Sequence, residues 1–215
     1  MSKTSFENYW KMARCSNDYI MISGRYEIQA TAGKRILWDV IKKLELNPSD
    51  SLLEIGCGTG NLLLPLSFFV KNTAGVDHKA CLDRLQKRFP GNKNIHFIPG
   101  NFLDVSVKGK YTKILCYSVL HYLANESEVY KFIHKTLTIL RPGGKILLGD
   151  IPNRSVKERF IYSQKGKEFD RKWQKLITKH HEHGGAKGLV LEVDTELVQF
   201  NDELILNILK NIRSM

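Results

Sequence analysis

A glycine-rich turn after a short apolar run is the segment of this sequence whose residue types are best suited to chemistry. Residues 51–61 read Ser-Leu-Leu-Glu-Ile-Gly-Cys-Gly-Thr-Gly-Asn, so Gly56, Gly58 and Gly60 alternate with other residues after the acidic Glu54. Because glycine lacks a Cβ, such a turn accepts positive φ and lets a ligand lie against the backbone. The spacing G-x-G-x-G differs from the G-x-G-x-x-G of dinucleotide-binding folds. The carboxylate would suit a cationic ligand, and a purely structural tight turn is the alternative.

Further short strands follow this turn, and the first of them also ends in an acid. Residues 73–77 read Thr-Ala-Gly-Val-Asp, which places Asp77 at the end of a second strand. A carboxylate at that point of a nucleotide-binding sheet can accept both ribose hydroxyls. Strands that alternate with helices predict βαβ units and a parallel sheet covered on both faces. The remaining candidates are strands at 94–99, 112–118 and 144–150, with helices at 62–70, 80–89 and 126–140.

In its order, this series over residues 50–150 resembles the class I S-adenosylmethionine-dependent methyltransferases. The resemblance rests on the acid and the three glycines of the turn, on the acid that ends the second strand, and on the elements that follow. It implies an α/β fold with a doubly wound, mainly parallel Rossmann-like sheet, and S-adenosylmethionine as the cofactor. It also implies methyl transfer, in which the protein mainly aligns the acceptor with an activated methyl group and excludes water.

The resemblance further implies which residues hold the cofactor. The glycine turn would surround the methionyl part, Asp77 would hold the ribose, and His78 would flank the adenine. Where the family often has an acid beside the adenine, this sequence has Asn101, whose amide can both accept and donate hydrogen bonds. Phe102 is expected either to stack on the base or to fill the core. The complete expected set is Glu54, Gly56, Cys57, Gly58, Gly60, Asp77, His78, Asn101, Phe102 and Tyr117.

The end of the fourth strand, at residues 116–122, is similar to the small-molecule branch of the family. It lacks the N/D-P-P-Y/F sequence of the amino-group methylases and the terminal Asp of the metal-dependent catechol-type members. A general base helps when the acceptor is a hydroxyl, and His121 is the first candidate, with Asp150 second. Both follow the carboxyl ends of strands, where open α/β sheets bind ligands. The alternatives are a His121 packed under the cofactor and an Asp150 that caps the following segment.

Composition and charge narrow the class of protein and its partners. The 215 residues are 42% hydrophobic, and no apolar run approaches the ~18 residues of a membrane span, so no membrane partner and no signal peptide are expected. Four cysteines without C-x-x-C spacing predict reduced thiols and a cytoplasmic protein. The net charge is +11, and residues 154–188 hold ten Lys or Arg against four acids. This basic cap predicts an anionic small acceptor, for example a nucleotide-linked sugar or a carboxylic acid.

Two other functions remain open at this point. An RNA methyltransferase could use the cations of the cap together with its interleaved aromatic residues. A non-catalytic, cofactor-binding subunit of a methyltransferase complex is the other alternative. The histidines His180, His181 and His183 lack a second ligand group for a metal, so a substrate loop at 180–185 is expected there and no metal site.

The chain is predicted to be a single domain of four parts. These are an N-terminal helical extension (1–48) that folds over the cofactor, with helices at 6–12 and 28–46, the cofactor-binding core (49–153), the basic cap (154–188) and a C-terminal segment (189–215). The cap is expected to be helical with a break at 165–167, and the last helix to have Asn201 as its N-cap. The family's C-terminal edge hairpin is expected to be missing, unless residues 188–192 supply a strand. An open sheet edge, a dimer or a covering partner is then expected.

Overall fold

The sheet of this protein is parallel, and its strand order reverses once. The computed structural model describes residues 19–22, 30–91, 94–182 and 197–213. Within them the strands lie in the order β3-β2-β1-β4-β5, and all neighbouring pairs are parallel, as predicted. The chain therefore builds outward from β1 to β3 and then returns to the other side of β1. The strands are β1 (Ser51–Ile55), β2 (Asn72–Asp77), β3 (Ile95–Pro99), β4 (Tyr111–Tyr117) and β5 (Leu140–Gly149).

Helices cover both faces of this sheet, which confirms the doubly wound architecture. Because successive strand residues point to opposite faces, Leu53 joins the core under α5 and α8, whereas Leu52 joins the core under α2. Among the described residues, no helix combines the length and the apolar content needed to cross a membrane. The helices are α1 (Tyr19–Ile22), α2 (Ala30–Leu44), α3 (Leu63–Leu66), α4 (Lys79–Arg88), α5 (Glu126–Thr138), α6 (Arg154–Tyr162), α7 (Gln164–Glu182) and α8 (Asp202–Arg213), with a 3-10 turn at Leu120–Tyr122.

Asparagine side chains start three of these helices. Asn125 accepts a hydrogen bond from the backbone N–H of the third residue of α5 at 3.0 Å, and Asn153 does the same for α6 at 3.1 Å. Asn201 accepts from the N–H of Leu204 at 2.8 Å, so its predicted role as an N-cap is confirmed. Such caps satisfy N–H groups that have no partner inside the helix.

Two core elements differ in length from the sequence prediction. The helix predicted for 62–70 is confined to Leu63–Leu66, and the hydroxyl of the next residue, Ser67, donates to the Leu64 carbonyl at 2.7 Å. Strand β5 begins at Leu140 instead of Gly144. The Pro-Gly-Gly segment lies inside β5. It interrupts the pairing with β4, because Tyr111 of β4 pairs with Leu140 whereas Lys113 pairs with Lys145. Within the described residues, β5 pairs with β4 on one side and is the edge strand of the sheet on the other.

The break in the cap also lies elsewhere than predicted. It falls at Ser163, whose hydroxyl donates to the Phe160 carbonyl at 2.6 Å and accepts from the N–H of Gly166 at 3.0 Å. Gly166 lies inside α7, where an added Cβ would sit 1.8 Å from the Phe160 carbonyl oxygen. The glycine thus allows two helices to approach closely and does not end one. The loop predicted for 180–185 is also wrong in part, since α7 continues to Glu182.

Several predicted features lie outside the described residues. These are the aromatic helix at 6–12, the first two residues of the helix predicted for 28–46, His183, and the substitute strand at 188–192. The described C-terminal part starts at Leu197, and a single parallel bridge joins Asn153 to Phe200. This bridge attaches the start of α6 to the segment before α8.

Candidate active site

The glycine turn after β1 combines tight packing with one open position. Gly56, Gly58 and Gly60 have φ values of 74°, 55° and 83°. A Cβ on Gly56 would lie 2.3 Å from the Val119 side chain, and one on Gly60 would lie 2.2 Å from Leu85. A Cβ on Gly58 would meet no atom within 4 Å. Two glycines are therefore required by packing, and the third leaves backbone that a ligand can approach.

Asp77 ties the end of β2 to this turn. Its Oδ2 accepts the N–H of Gly58 at 2.7 Å, and its Oδ1 accepts the N–H of His78 at 2.6 Å. The Cys81 thiol also hydrogen-bonds to this carboxylate. Burial raises the pKa of Asp77, and the two backbone N–H groups oppose that rise. Since each carboxylate oxygen can accept two hydrogen bonds, the side chain can still accept from a ligand.

A mainly apolar cleft opens beside Asp77. It lies at the carboxyl ends of β1, β2 and β3, next to the point where the strand order reverses, which is where open α/β sheets bind ligands. The cleft is lined by, among others, Ile55, Gly56, Val76, Asp77, Asn101, Phe102 and Leu123.

Asn101 and Phe102, which are expected near the adenine, both line this cleft. The Oδ1 atom of Asn101 accepts the N–H of Leu103 at 3.2 Å, which folds the loop after β3 back on itself. Phe102 is 5% exposed, and its ring centroid lies 4.8 Å from that of Phe132. Phe102 therefore belongs to the core and also forms one wall of the cleft.

Lys135 holds that loop in place, and no sequence pattern predicts this role. Its Nζ donates to the carbonyl oxygens of Phe102 at 2.6 Å, Leu103 at 3.1 Å and Val105 at 2.6 Å. The ammonium also lies 5.0 Å from the centroid of the Phe102 ring. Burial lowers the pKa of Lys135. Three converging carbonyls make this lysine a structural support for the wall of the cleft.

Glu54 is a buried acid next to the turn. It is 3% exposed, and burial together with the charge of Asp77 raises its pKa well above the ordinary value. Within the described part of the chain, Glu54 Oε2 and Thr59 Oγ1 are buried and have no hydrogen-bond partner. Buried polar atoms are usually paired. Two orphaned oxygens in and beside a glycine turn fit a ligand with a positively charged or donating group.

Arg88 connects the N-terminal helix to the same turn. Its Nη1 donates to the Thr59 carbonyl at 2.6 Å and to Asn61 Oδ1 at 2.7 Å. The guanidinium carbon lies 4.3 Å from the centroid of the Tyr19 ring, and Asn61 Nδ2 donates to the Tyr19 carbonyl at 3.0 Å. Ile22 of α1 is 2% exposed and packs with Cys81. These contacts hold Tyr19 next to the turn. No sequence pattern assigns a role to Arg88, because its partners are distant in sequence.

The adjacent ends of β4 and β5 carry two residues with left-handed backbone. Ser118 and Asp150 have φ values of 59° and 55°, and neither is a glycine. The Ser118 hydroxyl donates to Asp150 Oδ2, and the Ser118 N–H donates to the Gly149 carbonyl at 3.0 Å. Each such backbone costs about 1–2 kcal/mol. Asp150 was a predicted catalytic residue, whereas Ser118 was missed because a lone serine carries little signal.

His121 lies close to this pair, in the 3-10 turn after β4. Its ring centroid is 4.1 Å from that of Tyr122, and its Nδ1 is buried without a hydrogen-bond partner among the described residues. Burial lowers the pKa of His121 below 6.5, and the charge of Asp150 acts in the opposite direction. The imidazole is therefore neutral at pH 7. Both predicted catalytic residues are brought together here.

Three of the expected cofactor residues have side chains engaged elsewhere. Cys57 is a buried free thiol that packs with Leu63, and burial raises its pKa. The Tyr117 ring lies against Gly149 and packs on the α2 side of the sheet, opposite the cleft. The His78 Nδ1 accepts the N–H of the second residue of α4 at 3.1 Å, as an N-cap. For Cys57 and Tyr117, a contact with a ligand in the cleft would have to come from the backbone.

The side chains of His180, His181 and His183 are not among those that the structure describes. Within the described residues, no group of three or more His, Cys, Asp or Glu side chains could hold a metal ion.

The central part of this chain is similar to known methyltransferases. Residues 52–144 match the family model of a methyltransferase domain. An uncharacterized methyltransferase of Anoxybacillus flavithermus is 33% identical over 121 residues, which are 55% of this chain and 56% of that protein. One of Schizosaccharomyces pombe is 26% identical over 144 residues, 64% of this chain and 55% of that protein. The chain thus spans about half the length of these curated relatives.

Solved structures show the same fold. A magnesium protoporphyrin IX methyltransferase of Synechocystis with bound S-adenosylhomocysteine has a TM-score of 0.58 at 16% identity, over 97% of this chain and 84% of that one. The N-methyltransferase NodS of Bradyrhizobium japonicum, also with S-adenosylhomocysteine, has a TM-score of 0.57 at 19% identity, over 66% of this chain and 70% of that one.

A switch-point cleft, a glycine turn and a strand-terminal acid define a nucleotide-type cofactor site on a doubly wound sheet. The match to the family model shows that residues 52–144 are similar to a methyltransferase domain, and two solved structures that share the fold hold S-adenosylhomocysteine.

Proposed function

We propose that this protein transfers the methyl group of S-adenosylmethionine to an oxygen or nitrogen atom of a small acceptor that carries an anionic group. The observation that carries this proposal is the cluster of Ser118, His121 and Asp150 beside the cofactor cleft. A polar cluster at the carboxyl ends of β4 and β5 is the place where an acceptor can meet a methyl donor held at β1 and β2.

The residues of the cleft fit the cofactor part by part. Asp77 is a partly exposed acceptor for the two ribose hydroxyls, and Phe102 with Asn101 offers an apolar wall and a polar edge for adenine. The open side of Gly58 leaves room for the methionyl chain, whose ammonium group would partner the orphaned oxygen of Glu54. When bound, S-adenosylmethionine supplies a methyl group already activated by a sulfonium.

His121 and Asp150 supply the proton chemistry in this proposal. The lone pair of the acceptor atom forms the new bond to the methyl carbon, and the electron pair of the broken sulfur–carbon bond stays on sulfur. The neutral His121 takes the proton that the acceptor loses, because burial lowers its pKa and so keeps the imidazole unprotonated at neutral pH. Asp150 stabilises the resulting imidazolium, and the Ser118 hydroxyl fixes the position of that carboxylate.

The anionic group of the acceptor is inferred from charge. Helix α6 begins four residues after Asp150 and opens with Arg154, and Lys157 lies exposed one turn later. The whole chain carries a net charge of +11. A positive field next to the acceptor end of the sheet favours anionic ligands.

The test combines cofactor binding with methyl transfer. Titration calorimetry with S-adenosylmethionine and S-adenosylhomocysteine measures binding, and release of S-adenosylhomocysteine measures transfer to a panel of nucleotide-linked sugars and carboxylic acids. Asp150→Asn and Asp150→Gly both tolerate a left-handed backbone, so both should fold. Each should lower transfer by about 100-fold or more with little change in cofactor affinity.

Asp39→Asn is the matched control, because Asp39 is a half-exposed acid on α2 and the substitution makes the same change in charge. Full transfer activity in both Asp150 variants would refute the catalytic role. Tight cofactor binding without transfer to any acceptor of the panel would favour a non-catalytic, cofactor-binding subunit instead.

A further inference from the structure

The helical hairpin formed by α6 and α7 (residues 154–182) concentrates exposed apolar surface. Eleven large apolar side chains are exposed among the described residues, and six of them belong to this hairpin. Leu176, for example, is 51% exposed. Contiguous exposed apolar surface marks an interaction site more often than scattered apolar residues do. The six side chains are Val156, Phe160, Ile161, Tyr162, Phe169 and Leu176.

Lysines border the apolar row of α7 along its length. Phe169 and Leu176 are seven residues apart and therefore lie on one line of the helix surface. Lys165, Lys172 and Lys179 are also seven apart, and each is three or four residues from an apolar residue of that row. Residues at those spacings are neighbours on a helix. An apolar row and a cationic row thus run side by side over four turns of α7.

The part of α7 that packs most closely on α6 is centred on Gly166, next to this exposed row. Gly166 is buried against the backbone of Phe160, and Trp173 is half-buried. The Phe169 ring is nearly parallel to the Trp173 ring, with their centroids 6.2 Å apart. The centroid of the Phe160 ring lies 5.8 Å from that of Phe169. These ring contacts fix the direction of Phe169 while leaving it 54% exposed. The exposed row is therefore held in a defined orientation.

We propose that this hairpin docks, in the plane of the surface, on a bilayer that contains anionic phospholipids. A helix with lysines along the border of an apolar face buries that face at the level of the headgroups, while the lysines reach the lipid phosphates. RNA would engage the lysines and the aromatic rings but would leave the aliphatic Val156, Ile161 and Leu176 in water. The hairpin carries nine Lys or Arg against four acids, which complements a negatively charged surface.

Vesicle flotation of the full chain tests this proposal. The protein should float with vesicles of phosphatidylcholine containing 30% phosphatidylglycerol and should not float with phosphatidylcholine alone. Each lysine near an anionic surface changes partitioning roughly fivefold. The triple substitution Lys165→Gln, Lys172→Gln and Lys179→Gln should therefore lower binding about 100-fold. The triple change Lys87→Gln, Lys108→Gln and Lys110→Gln removes equal charge at exposed sites elsewhere and should leave binding within a fewfold of the wild type.

The apolar contribution is tested separately with Leu176→Ser. Because Leu176 is half exposed, the substitution should leave the thermal midpoint unchanged and lower vesicle binding roughly tenfold. Absence of flotation with anionic vesicles overturns the proposal. Vesicle binding that Leu176→Ser does not weaken also overturns it, since binding is then purely electrostatic. Binding of single-stranded RNA with loss in the lysine triple variant but not in Leu176→Ser would assign the surface to RNA.

Discussion

Asp77→Asn is the substitution that tests the cofactor site most directly. The carboxylate accepts from the N–H of Gly58 at 2.7 Å and from that of His78 at 2.6 Å, with one oxygen for each. An asparagine has the same shape but only one oxygen, so its NH₂ group must face one of those two donors. The variant therefore keeps the packing of the turn and loses one acceptor for the ribose or for the backbone.

The loss in cofactor affinity follows from this geometry. Hydrogen bonds to a charged group contribute roughly 1.5–3 kcal/mol, and each 1.4 kcal/mol is about tenfold in affinity. Asp77→Asn should thus weaken binding of S-adenosylhomocysteine by about 10- to 100-fold in titration calorimetry. Asp83→Asn on α4 makes the same change in charge at an exposed ion pair with Lys79, at 2.8 Å. That control should leave the affinity unchanged.

The pH dependence of stability gives a second, independent readout of Asp77. Burial raises the pKa of Asp77 in the folded protein, so the folded state binds more protons than the unfolded state as the pH rises above about 4. The stability contributed by the wild-type carboxyl is then complete at low pH and declines as the pH rises. The Asp77→Asn variant lacks this decline. The difference in thermal midpoint between the wild type and the variant should therefore become smaller from pH 4 to pH 7. An unchanged affinity together with a constant deficit would remove Asp77 from the cofactor site.

Two further substitutions test the acceptor side and the N-terminal helix. Methyl transfer should reach a plateau at neutral pH and fall at more acidic pH, since burial lowers the pKa of His121 and the base must be neutral. His121→Gln should flatten this profile, and a rate that rises only above pH 7 would contradict the assignment. Arg88→Gln removes two hydrogen bonds and the contact with the Tyr19 ring, so S-adenosylhomocysteine should dissociate about tenfold faster in stopped-flow measurements. Tyr19→Leu should show a smaller effect, and equal rates in both variants and the wild type would exclude a role of this contact.

The sheet and the position of the glycine turn were predictable because their signals are local. The spacing of the glycines and the acid that ends each of the first strands are read directly from short runs of sequence. The structure adds the reason for each glycine: Gly56 and Gly60 avoid overlap with Val119 and Leu85, whereas Gly58 is open. The same local pattern could not show that Cys57 points into the core, because alternation within a tight turn follows no fixed period.

The supporting residues were not predictable because each acts over a long distance in sequence. Arg88 reaches a carbonyl 29 residues earlier, and Lys135 reaches carbonyls 30 to 33 residues earlier. On their own helices both are ordinary basic residues of an amphipathic pattern. The break predicted at Gly166 is wrong for a different reason. A glycine often ends a helix, but this one lies inside α7 and allows close contact with α6. Only the packing of one element on another distinguishes these cases.

The strain at Ser118 and Asp150 argues that the acceptor side is retained for function. Strands β4 and β5 remain paired as far as Tyr117 and Gly149, and the next residue of each turns to left-handed backbone. Glycine at either position would relieve about 1 kcal/mol, yet both positions hold side chains that contact each other. Backbone strain that persists where a simple substitution would remove it clusters at functional sites. Asp150→Gly should therefore raise the thermal midpoint while abolishing transfer, whereas an equal loss of stability and activity would mean that the contact with Ser118 is structural.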